Sequence, residues 1–227
     1  MSRKTNLCLA AVAATAALLA AGCGGSTVPR SSGPSSGVHA QAAPAPSAAR
    51  STPVPPASRT TDPGTLPQTR VLPGDRDAPF TAGAQELWQA IVQDKPQVAH
   101  PFFFPRSAYE QVKAIADPDD DYRNRLIAWY DLDIHAAHEH LGPDAAKAKF
   151  VGVDVPEGDA AWIEPGAEYN KGSYYRVYGT RLNYQVDGHA ASIGVFSLIS
   201  WRGEWYVVHL GPSTRAASEG IVYDARG

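Results

Sequence analysis

The chain has 227 residues, with 20 basic and 23 acidic side chains and a formal net charge of −3. That mildly acidic balance excludes binding of nucleic acid or anionic lipid through bulk charge. Both cysteines, Cys8 and Cys23, fall in the N-terminal stretch, so the rest of the chain has no disulfide to make and depends on packing.

Arg3 and Lys4 precede an apolar run from Leu7 to Ala21. At about 1.5 Å per residue this run is too short to cross a hydrocarbon core of roughly 30 Å. A basic start, a short apolar stretch and small residues after it read as an export signal peptide. The residues Leu19-Ala20-Ala21-Gly22-Cys23 resemble the lipobox of bacterial lipoproteins, with Ala20 standing where that family prefers Leu. The resemblance implies removal of residues 1–22, acylation of Cys23 with palmitate-type chains, and residence on the extracytoplasmic face of the cell membrane. Two acyl chains, at about 0.8 kcal/mol per buried CH₂, anchor stably where one does not. The alternative is an ordinary secretory signal with Cys23 incidental. Cleavage would take Arg3 and Lys4, leaving 18 bases against 23 acids and a net charge of −5. The excess of arginine over lysine, with abundant Ala, Gly and Pro, is similar to exported actinobacterial proteins.

The aromatic residues locate the fold. There are five Trp, ten Tyr and six Phe, and none precedes Phe80. Residues 23–76 hold the lipidated cysteine and an Ala/Pro/Ser/Thr linker, as in Ala42-Ala43-Pro44-Ala45-Pro46. Such a segment buries too little apolar surface to offset its conformational entropy, which predicts a disordered tether. One domain follows over residues 77–212, then a tail of 213–227.

The first half of the domain reads as helices. Ala84, Leu87, Trp88, Ile91 and Val92 repeat at helical spacing, with Thr81 as a cap and Pro96 as a limit. Ser107-Ala108-Tyr109-Glu110 has the form of a capping box. A long helix from about Asp121 to Leu141 carries the stripe Ile127, Tyr130, Ile134, Ala137 and Leu141. The acidic run Asp119-Asp120-Asp121 lacks the glycine and distal Glu of a calcium loop and suits a helix N-terminus.

The second half reads as antiparallel strands: 149–155, 160–163, 173–186, 189–201 and 204–210. Asp187-Gly188 and Arg202-Gly203 sit at hairpin turns. Apolar alternation changes phase near Gly179, which predicts a bulge there. The fold class is therefore α+β, with N-terminal helices packed on a curved antiparallel sheet. Element order and Trp201-Arg202-Gly203-Glu204-Trp205-Tyr206-Val207-Val208-His209 resemble the nuclear transport factor 2-like superfamily, whose fold is a cone. A cystatin-like fold is the alternative.

Asp131, His135 and His138 fall within a sector of roughly 60° on the long helix. A carboxylate holding a histidine makes a general base, so these three are the candidate pocket residues, with Trp129 and Tyr178 as aromatic companions. The competing reading is a half-exposed polar helix flank. His135 and His138 also suit a shared metal at i, i+3, but no second ligand pair accompanies them, and neither a metal nor another cofactor is expected. No nucleophile elbow, phosphate loop or dinucleotide fingerprint is present, so no catalytic residue is assigned. These features favour a non-enzymatic binding or accessory module of the cell envelope. Its partners would be the membrane, through the lipid anchor, and a small ligand or an envelope protein. The alternative is a small-molecule hydrolase or isomerase using Asp131, His135 and His138.

Overall fold

Residues 62–225 are those the computed structural model describes; Cys23, the signal segment and the linker as far as residue 61 lie outside them. Helix α1 spans Ala78–Gln93. It starts a turn before Thr81, with Asp77 as the N-cap residue and Pro79 in the first turn, where a missing N–H costs nothing. The stripe Ala84, Leu87, Trp88 and Ile91 is buried. A 3₁₀ segment, Pro96–Phe102, leads to α2, Arg106–Val112. The capping box does not form. Pro105 takes the N-cap position, Ser107 Oγ donates instead to Asp62 at 2.6 Å, and Glu110 accepts from Arg106.

The long helix has three parts: α3 (Pro118–Asp121), a π turn (Tyr122–Leu126) and α4 (Ile127–Leu141). In the π turn the Ile127 N–H reaches back to the Tyr122 carbonyl. Apolar periodicity does not reveal this insertion, because Leu126, Tyr130, Ile134, Ala137 and Leu141 still bury one face. The acidic run caps and pairs. Asp117 accepts from the Asp120 N–H at 2.9 Å, Asp119 meets Arg106 and Arg123, and Asp121 meets Arg125.

Five strands form one antiparallel sheet: β1 (Lys149–Asp154), β2 (Ala161–Ile163), β3 (Tyr174–Val186), β4 (His189–Trp201) and β5 (Glu204–His209). The order is β1-β3-β4-β5, and β2 pairs with β3. Both hairpin turns have positive φ at two residues, 49° and 84° at Asp187-Gly188 and 55° and 81° at Arg202-Gly203. That conformation matches the twist of the flanking strands. The arrangement is α+β, as the patterning predicts.

The expected bulge at Gly179 is corrected. The β3–β4 register runs unbroken across it, from Tyr178 opposite Ser197 to Thr180 opposite Val195. Gly179 has φ 77°, so it kinks the strand and shifts the buried side without slipping the ladder. The register shifts lie elsewhere, between Phe150 and Gly152 on β1 and between Ser197 and Leu198 where β4 meets β5.

Helices and sheet meet through large rings. Trp88 of α1 lies 5.9 Å from Phe150 and 5.1 Å from Tyr184, centroid to centroid. Phe104 donates its N–H to Val207 at 2.8 Å, docking the chain beside β5, and its ring meets Trp201 and Tyr206 edge-on.

Order extends beyond the sequence-derived boundaries. Part of the stretch expected to be a disordered linker lies on the β4–β5 hairpin. Gln68 donates to the Ser200 carbonyl at 2.8 Å and accepts from the Arg202 N–H at 2.6 Å, and Trp201 Nε1 donates to the Pro63 carbonyl at 2.8 Å. Such docking uses backbone partners rather than apolar area, so composition does not signal it. At the other end, residues 211–225 form a strap across α4. Asp133, 1% exposed, accepts from the N–H groups of Gly211 and Ile221 at 2.8 Å each and pairs with both Arg215 Nη atoms. Gly220 passes so close that a Cβ there would lie 2.3 Å from the Leu132 carbonyl oxygen. Tyr223 returns its carbonyl to the Gly194 N–H at 2.9 Å.

Candidate functional site

Asp131, His135 and His138 share the flank of α4 that spacing predicts, but they do not converge. Asp131 binds His100 of the 3₁₀ segment at 2.8 Å. His135 binds Asp94 at the end of α1 at 2.9 Å and lies 3.5 Å from Glu139. His138 donates its Nδ1–H to the Ile91 carbonyl oxygen at 2.9 Å, which fixes the proton on Nδ1. These are three separate ties between α4 and the chain before it. The His135 side chain is 52% exposed, and its hydrogen bond to Asp94, then the charge of that carboxylate, raises its pKa.

Trp129 is neither core nor bare. The Arg125 and Arg215 guanidinium carbons stand 5.0 and 4.9 Å from its ring centroid. Its Nε1 donates to the Ala217 carbonyl at 3.2 Å, so the strap covers it. Tyr178 borders a cavity, and Arg176 stacks on its ring at 4.4 Å.

That cavity is built by the sheet register. Tyr178, Ser197 and His209 stand opposite one another across β3, β4 and β5, and directly paired residues share a face. The register shift makes this row. Leu198 pairs with Val207, so an unbroken ladder would put Val208 opposite Ser197; the extra residue puts His209 there instead. Arg176 and Tyr174 lie two and four residues along β3 on the same face. Lys113, just past α2, closes one side through backbone bonds: Ala114 N–H to the Tyr169 carbonyl at 2.8 Å and Lys171 N–H to the Val112 carbonyl at 2.7 Å. Asn170, 2% exposed, knots this loop by accepting from the Glu168 N–H and donating to the Glu164 and Gly172 carbonyls. The space is about 110 Å³ and partly open, with Phe196, Ile199, Val208 and Ser213 completing the wall.

The polar chemistry is dense. Glu168 pairs with Arg176 and accepts from the Tyr174 hydroxyl at 2.8 Å. Lys113 Nζ donates to the Glu168 carbonyl at 3.0 Å. Arg176 Nε is buried and has no hydrogen-bond partner. Ser197 Oγ lies 3.3 Å from His209 Nδ1. Burial first, then the charges of Arg125, Lys113 and Arg215, pushes the His209 pKa down to about 4. Burial, then Arg125, also lowers the Lys113 pKa. The site is thus a small, cation-rich cavity with a neutral imidazole.

A serine beside a histidine suggests a nucleophile and its base. A base with a pKa near 4 is poorly matched to neutral pH, and 3.3 Å is a loose contact.

Lys113, Glu168, Arg176 and Ser197 are not flagged by spacing, because they come from a helix end, a loop and two strands. His209 is marked only as the last residue of the Trp-rich terminal strand pattern. Comparison of the chain with family models, with curated proteins and with solved structures finds no match.

Proposed function

We propose that the chain is a lipid-anchored, non-enzymatic binding module of the cell envelope, held through Cys23 on the extracytoplasmic face. Its domain would take a small ligand in the cavity under Lys113. The single observation behind this reading is that cavity: polar groups from the end of α2, the 164–172 loop and three strands meet around one concave space. The nuclear transport factor 2-like cone is favoured over a cystatin-like fold by three helices preceding the sheet and by the kink at Gly179. The enzyme alternative finds no support in Asp131, His135 and His138, which engage three different partners.

Two measurements test the proposal. A fragment panel, including neutral and charged molecules, should stabilise the protein thermally, and Ile199→Trp, which fills the cavity, should abolish the effect. No stabilising fragment, or full retention in a folded Ile199→Trp protein, would reject the binding role. For the anchor, Cys23→Ser should release the protein from the membrane fraction or leave an unprocessed precursor. Unchanged retention with normal processing would reject lipidation.

A further inference from the structure

Four basic groups act at the cavity: Lys113 and Arg176 line it, and the charges of Arg125 and Arg215 reach His209 in its wall. Each arginine has its own carboxylate. Arg125 binds Asp121 through Nε and Nη2 at 2.6 Å each, Arg176 pairs with Glu168, and Arg215 pairs with Asp133. Lys113 differs. Its Nζ donates to a backbone carbonyl, that of Glu168, at 3.0 Å, and among the described residues no carboxylate forms an ion pair with it, although it lines the cavity. Three carboxylates against four bases leave one positive charge, and it sits on this half-buried ammonium.

The remaining walls narrow the choice. The Ser197 hydroxyl supplies a further polar group, while Phe196, Ile199 and Val208 present carbon. A space of about 110 Å³ admits only a few non-hydrogen atoms, given roughly 30 Å³ for each water in the liquid. A second negative charge on the ligand would meet the fixed Glu168 carboxylate. Glu168 cannot withdraw easily, because its backbone is held by Asn170 and its side chain by Tyr174.

Resting on the reading of this cavity as the ligand site, we propose that the ligand is a short-chain monocarboxylate. Its carboxylate would be received by Lys113 Nζ and the Ser197 hydroxyl, and its alkyl part by Phe196, Ile199 and Val208. Lys113 supplies the matching charge, and the cavity size sets the chain length.

The test is titration of the full chain with propionate, propionamide and inorganic phosphate, followed by the NMR signals of the His209 imidazole, assigned with a His209→Gln protein. Propionate should shift these signals saturably. Propionamide, of the same shape without charge, should bind at least about 10-fold more weakly, and phosphate more weakly than propionate. Lys113→Met should weaken propionate at least about 10-fold, and Lys113→Arg should restore most of that loss. If Lys113→Met fails to fold, Ser197→Ala decides: it should weaken propionate several-fold and leave the fold unchanged. Equal binding of propionate and propionamide, tighter binding of phosphate, or an unaffected Ser197→Ala protein overturns the monocarboxylate proposal. Neutral fragments that still shift His209 would then keep the cavity as a ligand site. No response of His209 to any molecule tested overturns both readings.

Discussion

The two sides of α4 put the same side-chain types to opposite uses. Asp131 and His135 lie on an outer flank in contact with water, where Asp131 meets His100 and His135 meets Asp94 and Glu139. Two residues from each of them, Asp133 is 1% exposed and binds four donor nitrogens of the strap, two from the backbone and two from Arg215. The histidines differ in the same way. His135 gains a carboxylate and its pKa rises; His209 is desolvated among cations and its pKa falls to about 4. Residue type and helical spacing identify the outer group. Which carboxylate matters energetically, and which histidine meets a cavity, depends on partners far along the chain.

The largest effect should come from Asp133→Ala. It leaves the Arg215 charge buried and two N–H groups unpaired, at a cost of about 3–5 kcal/mol. Urea unfolding measures it. The pair replacement Asp133→Leu with Arg215→Met should recover much of the loss, because no charge is then left behind. A loss under 1 kcal/mol for Asp133→Ala would erase the contrast with Asp131.

Next in size is the pH dependence of His209. Its folded pKa lies below the unfolded value, so between about pH 6.5 and 4 the unfolded chain binds a proton that the native one does not. Stability should therefore fall as the pH drops through that window, by on the order of 2 kcal/mol. His209→Gln should flatten this part of the curve. His135 has the opposite sign. Its raised pKa contributes stability below the unfolded value, and that contribution is lost as the pH rises through the folded one. NMR titration of the two imidazoles should show His209 titrating far below His135; coincident curves would break the comparison.

The outer flank should be tolerant. Asp131→Ala should cost no more than about 1 kcal/mol, as expected for a half-exposed pair. The double change His135→Ala and His138→Ala should leave the fold intact and cost a similar amount, mainly the His138 bond to the Ile91 carbonyl. It should not change ligand binding in the cavity.

Much of the fold is legible locally. Strand boundaries follow alternation and the two Asx/Arg-Gly turns, and the helical stripes follow 3.6-residue spacing. The π turn is invisible because it preserves the buried face around it. The strap is invisible because Asp133 resembles any other helix-surface carboxylate until Arg215 is placed beside it. The docking of residues 62–68 is invisible because it relies on main-chain acceptors rather than on apolar side chains. For the site, Tyr178 was readable as an aromatic on a bent strand. His209 needed the extra residue at Val208, which is a property of the ladder and not of any single strand.

The separation of 82 residues between Asp133 and Arg215 also has a consequence for biogenesis. A chain made or exported from its N-terminus delivers Asp133 long before its guanidinium partner, together with a helix that has nothing to bind its carboxylate. Packing that residue early would bury an uncompensated charge, so the helical half has reason to stay open until the hairpins and the strap have emerged. A chain cut before Arg215 should therefore hold its helix faces loosely, and limited proteolysis of such a fragment beside the full chain checks this.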